Sequence, residues 1–141
     1  VTAGRRARPG AVSLTWLVTR TREEQDAFGT LVAERVVPEL MALPGFLSFL
    51  GGSVGPWHFT MTAWETPGHV RGLQSLPSHR EALRWFYDPE GVGASATSSV
   101  WVPERQNVLY VRCPSCARMV DGEGDACSDC GADLPEVAPD W

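Results

Sequence analysis

The chain has 141 residues with a formal net charge of −5, enough for one ordinary domain and a small appendage. No apolar run approaches the ~20 residues of a membrane span, and the first ten residues lack a secretory apolar stretch, so neither a membrane protein nor a signal peptide is expected. All basic residues are Arg, and Ile is absent too, a pattern that reads as compositional bias and carries no argument for phosphate binding.

Residues 1–10 read as a flexible basic arm carrying Arg5, Arg6 and Arg8. Residues 11–20, AVSLTWLVTR, are apolar and β-branched and predict a buried strand. Thr21 and Glu24 fit a capping box, followed by Phe28, Leu31, Val32 and Val36 at helical spacing. Pro38 should bend or end this helix, and Leu43-Pro44-Gly45 stops it. Residues 46–54 predict a second strand, in which Gly51-Gly52 suggests a bulge or a close backbone approach.

The third strand, 57–65, has two unlike faces. Trp57, Phe59, Met61 and Ala63 make one wholly apolar face; His58, Thr60, Thr62 and Trp64 make a mixed one. Thr66-Pro67 reads as a helix start, and Ser78-His79-Arg80-Glu81 as a second capping box opening a helix to about Asp88. Residues 89–99, rich in Gly, Ala and Ser, predict a mobile loop, and 100–102 a fourth strand. Residues 103–107 are polar and suit a linker. The order βαββαβ predicts a ferredoxin-like α+β domain over residues 11–104, with one sheet face left bare for a second copy.

Residues 105–141 hold all four cysteines, as Cys113-x-x-Cys116 and Cys127-x-x-Cys130. That spacing suits four thiolates on one tetrahedral ion, and metal binding would supply the folding free energy so short a tail lacks. Structural zinc is the expected cofactor, with rubredoxin-type iron and disulfides as alternatives. Ala117 stands where a glycine usually follows the first knuckle, and no aromatic lies between the pairs, both unlike an iron carrier. Residues 1–112 carry 11 Arg and 10 acids, a net +1. Residues 113–141 carry one Arg and seven acids, a net −6. Phosphate binding needs the opposite sign, so no nucleic-acid partner is expected; an acidic zinc ribbon and tail could dock a protein partner.

Three sets of residues resemble a known family: Leu43-Pro44-Gly45-Phe46, Trp64-Glu65-Thr66 and Leu76-Pro77-Ser78-His79-Arg80-Glu81-Ala82. In order and spacing they resemble the antibiotic-biosynthesis-monooxygenase-like family over about residues 10–104. The resemblance implies a homodimeric α+β barrel with a pocket in each subunit. It implies a small-molecule enzyme of secondary metabolism, in the cytoplasm, akin to cofactor-independent oxygenases of aromatic or polyketide-like intermediates. The family's haem-degrading branch places its Trp and His where this chain has Leu73 and Leu83, and leucine cannot ligate iron. No haem, flavin or nicotinamide is therefore expected.

Candidate catalytic residues are His58 or His79 as base, with Trp64 positioning a ring; Thr60, Thr62, Trp85 and Arg80 are candidate substrate contacts. For each there is a plainer role: His58 at a sheet interface, His79 in the core, the threonines as strand formers, Trp85 as a core or interface aromatic, and Arg80 on a charged helix face with Glu81. His69 reads as a surface helix residue. Phe86, Tyr87 and Trp101 read as core and interface aromatics. The alternative function is a non-catalytic ligand-binding or assembly module. No nucleophile elbow, phosphate loop or dinucleotide fingerprint occurs.

Overall fold

The structure, a computed structural model, describes residues 8–135. The expected basic arm and the end of the acidic tail therefore lie largely outside the described residues. The chain divides into two compact units between Pro103 and Glu104.

The first unit is built on β1 (Ala11–Val18), β2 (Phe46–Val54), β3 (Trp57–Trp64) and β4 (Ser95–Trp101). They form one antiparallel sheet in the order β2-β3-β1-β4. This is the ferredoxin-like α+β arrangement. β4 begins five residues earlier than its apolar part suggests, because Ser95–Ser99 find their pairing along β1. Small polar residues carry little strand preference of their own, so tertiary pairing decides. The segment before β4 is anchored: Val92 is almost fully buried, and the Glu24 carboxylate accepts from the Gly93 N–H at 3.1 Å. Arg20 bridges Glu24 and the Gly91 carbonyl. The Arg20 side chain holds the Glu24 carboxyl down to about 2.

Thr21 caps α1 (Arg22–Leu31), its hydroxyl accepting from the Glu24 N–H at 3.2 Å. The helix does not end before Pro38. It widens into a π turn, Val32–Val36, and continues as α2 (Val37–Met41). Pro38 has no N–H to give to Glu34, and in an α-helix its ring would press on that carbonyl. The wider turn removes the conflict, with Val37 N–H bonding to Val32 C=O. A 3₁₀ stretch, His69–Ser75, leads to α3 (Pro77–Tyr87). Ser78 lies inside this helix rather than capping it, and its hydroxyl donates to Glu39 at 2.7 Å.

In β1 and β3, register sorts the side chains. Trp64, Thr62, Thr60 and His58 stand beside Ala11, Ser13, Thr15 and Leu17. This mixed face is the helix-covered one, since Ala11 and Trp64 pack with Val36, Leu40, Phe46 and Val70 in the main core. The apolar set of β3 lies on the opposite face, open at Trp57 and closed at Ala63, which is buried. There Trp16 meets Trp57 edge-on at 6.4 Å and Phe59 at 5.5 Å. Trp57 is 52% exposed and Trp101 62%.

The second unit contains the hairpin of β5 (Tyr110–Arg112) and β6 (Met119–Asp121). Val120, Cys113 and Cys127 form its small core, packed with Cys116, Ala132 and Leu134.

Candidate functional site

The first unit carries a cleft of about 700 Å³ between α1 and the β2/β3 end of the sheet. The helix supplies Phe28, Gly29, Val32 and, after the π turn, Val37; the sheet supplies Phe49, Gly51, His58 and Thr60. Gly29 and Gly51 border it. A side chain on Gly29 would meet nothing within 4 Å, so the helix surface there is open. A Cβ on Gly51 would come within 2.7 Å of the Phe49 ring. Arg22 and Asp26 pair at 3.1 Å along the helix, and both contribute to the lining.

His58 is the chemically distinctive group of the cleft. It is 7% exposed, stands edge-on to Phe28 with ring centroids 5.7 Å apart, and its buried Nε2 has no hydrogen-bond partner. Burial pushes its pKa below the ordinary range, so the ring is neutral near neutral pH. A neutral imidazole bordering a cleft can accept a proton or hold a polar atom that reaches its buried nitrogen.

Of the other sequence candidates, Thr60 joins His58 in the lining and the rest do not gather at this cleft. Trp64 is fully buried, its indole N–H donating to the Thr62 hydroxyl at 2.7 Å and its ring edge-on to Phe46 at 5.4 Å. Both Trp64 and Thr62 are thus closed within the protein. His79, on α3, also has an unpartnered buried nitrogen, Nδ1, and a pKa lowered by burial. Trp85 lines a smaller hollow of about 460 Å³ with Leu31, Glu81, Arg84 and Asp88. Arg80 is exposed and donates to the Ser75 carbonyl at 2.6 Å. The α1 wall is absent from the sequence candidates. Its one signal is Gly29, an interior helix glycine that costs about 1 kcal/mol relative to Ala.

The second unit brings the four cysteines together. Their sulfurs all lie within 4.8 Å of one another, with Cys113–Cys130 at 3.6 Å and Cys116–Cys127 at 3.8 Å. A tetrahedral ion with metal–sulfur bonds of ~2.3 Å sets its sulfurs about 3.8 Å apart, whereas a disulfide needs ~2.05 Å. The donor set therefore fits a metal and holds no disulfide. The two knuckles are equivalent: Cys113 and Cys127 each accept at their carbonyls from the N–H of the residue after the second cysteine, Ala117 and Gly131, both at 2.9 Å. Both residues have positive φ, 60° and 73°. The Cys116 N–H, then that of Ser115, donates to the Cys113 sulfur and draws its pKa down to about 7. At Cys116 the Arg118 N–H pulls the same way, but burial and the neighbouring thiols push the value up to about 12.

No protein-family model matches the sequence, and no curated protein matches it. Solved structures do match. A monooxygenase from the gene ActVA-Orf6 of Streptomyces coelicolor, in complex with the ligand nanaomycin D, superposes with a TM-score of 0.58 at 18% identity, over 72% of this chain and 92% of that one. Rv0793 from Mycobacterium tuberculosis gives 0.56 at 13% identity, over 68% and 96%. SnoaB, a cofactor-independent oxygenase from Streptomyces nogalater, gives 0.50 at 12% identity, over 70% and 97%. The fold is that of the antibiotic-biosynthesis-monooxygenase-like structures, joined here to a four-cysteine metal-type cluster.

Proposed function

We propose that the protein is a small-molecule enzyme of the cofactor-independent monooxygenase type, acting on an aromatic or polyketide-like phenol in the α1 cleft. The observation that carries this is His58: a neutral imidazole bordering the cleft, its Nε2 buried and unpartnered, in a fold shared with a monooxygenase bound to nanaomycin D. His58 takes the phenolic proton. The electron-rich ring carbon adds dioxygen, forming one C–O bond; the peroxide takes the proton back from His58, and the resulting hydroperoxide loses water to leave a quinone. Thr60 lines the same cleft and would hydrogen-bond the substrate oxygen, with Phe28 and Phe49 as apolar walls for its ring.

The apolar sheet face suits a second copy of the chain, because bare tryptophans at this density favour association. The cysteine cluster would hold zinc through Cys113, Cys116, Cys127 and Cys130; with four protein ligands the ion stabilises the fold and leaves no open position for catalysis.

The test is oxygen uptake with a panel of hydroxynaphthoquinone precursors. Loss of uptake in His58→Ala, with the fold and oligomeric state kept, supports the assignment. Unchanged uptake in both His58→Ala and His79→Ala rejects a histidine base.

A further inference from the structure

The helix that walls the cleft must do two things at once. Its second half anchors Leu40 in the core beside Phe46 and Trp64, and its first half brings Phe28 edge-on to His58. Both targets lie on the sheet, so Leu40 and Phe28 must face the same way. They are twelve residues apart. At about 100° per residue, an unbroken α-helix would turn them roughly 120° away from each other. The π turn takes up one extra residue between them, which brings the two directions to within about 20°.

That turn ends at Val36, two residues before Pro38, whose missing N–H and ring bulk disfavour the α-helical alternative. Val32 and Val37, at its two ends, line the cleft, whereas Pro38 is exposed and is not part of the lining.

We infer that Pro38 is a positioning residue for the cleft: it holds the π turn open, and the π turn phases Phe28 onto His58. The inference concerns the cleft's construction and stands whichever molecule the cleft accepts.

Two variants of the full-length protein test it by NMR. Pro38→Ala should let the turn relax to α-helix with Leu40 still anchored. The Phe28–His58 ring contacts should then be lost, and the His58 pKa should rise toward the ordinary ~6.5 as water reaches the ring. The second variant combines Pro38→Ala with deletion of Glu34. It removes the extra residue along with the proline, so a plain α-helix now has the right phase, and both the contact and the lowered pKa should return. Retention of the contact in Pro38→Ala would overturn the role of Pro38. Absence of the contact from the deletion variant would overturn the phase argument. Should Pro38→Ala fail to fold, the deletion variant decides alone: the contact present supports the inference and the contact absent rejects it.

Discussion

Glu39 on α2 accepts two hydrogen bonds from Ser78 on α3, 2.7 Å from the hydroxyl and 3.1 Å from the backbone N–H. A carboxylate from one helix thus satisfies a first-turn donor of another and ties the two together. Ser78 is fully buried, so Ser78→Ala removes a bond with no water to replace it and should lower stability by about 1 kcal/mol, read from the urea midpoint. The Ser78 hydroxyl, then its N–H, holds the Glu39 carboxyl below the usual carboxylate range. Its stabilisation is complete above ~4.3 and fades as pH falls through the lowered value, so Ser78→Ala should flatten the acid limb of the stability curve.

The apolar sheet face supplies the second prediction. Trp57 stands on it at 52% exposure, edge-on to Trp16. If two copies meet there, Trp57→Glu places a charge in a dry contact and should weaken self-association at least ~30-fold, about 2 kcal/mol. Sedimentation equilibrium would show a monomer. Tyr87→Glu, a control on α3 at 77% exposure, should leave the association unchanged.

The alternation along β3 made this face legible in the sequence, because a strand's period of two survives any packing. Which face the helices cover was not legible. The mixed His58–Trp64 face lies inward because Trp64 and Phe46 seal one end of it, while His58 and Thr60 border a cleft at the other. Thr21 capped its helix as the motif foretells, yet Ser78 in a similar motif did not. Glu39 reaches Ser78 from another helix, and Glu81 is instead paired with Arg35 at 2.7 Å. Local motifs state what a segment can do; a partner distant in sequence decides whether it does. The continuation past Pro38 has the same origin, since Leu40 needs the core more than the chain needs a regular helix.

The knuckle residues give a third prediction. Among the described residues, Ala117 is the one non-glycine with positive φ, at 60°. An L-residue pays roughly 1–2 kcal/mol there, partly offset by glycine's greater chain entropy. Ala117→Gly should therefore tighten metal retention about fivefold in chelator competition. Gly131→Ala, in the matching position with open space around it, should loosen it by a similar factor. Removing the metal should unfold the β5–β6 hairpin while leaving the sheet of the first unit intact, seen as loss of amide protection confined to the second unit. Metal analysis should find one zinc per chain in a colourless protein; a red protein containing iron would reject zinc.

The last prediction separates His58 from His79 by pH. Both pKa values are lowered by burial, so in each case the folded state resists protonation more than the unfolded chain does. Stability is fully present above the unfolded value of ~6.5 and is lost as pH falls through the lowered folded values. His58→Gln and His79→Gln should each remove part of this acid loss. The rate behaves differently. With His58 as base, kcat/KM should be flat at neutral pH and should fall about tenfold per unit below the His58 pKa. His79→Gln should leave that limb in place, because His79 does not line the cleft. His58→Gln should abolish the limb along with most of the turnover. A surviving limb in His58→Gln would assign the proton to another group, and an acid limb lost only in His79→Gln would move the base to α3.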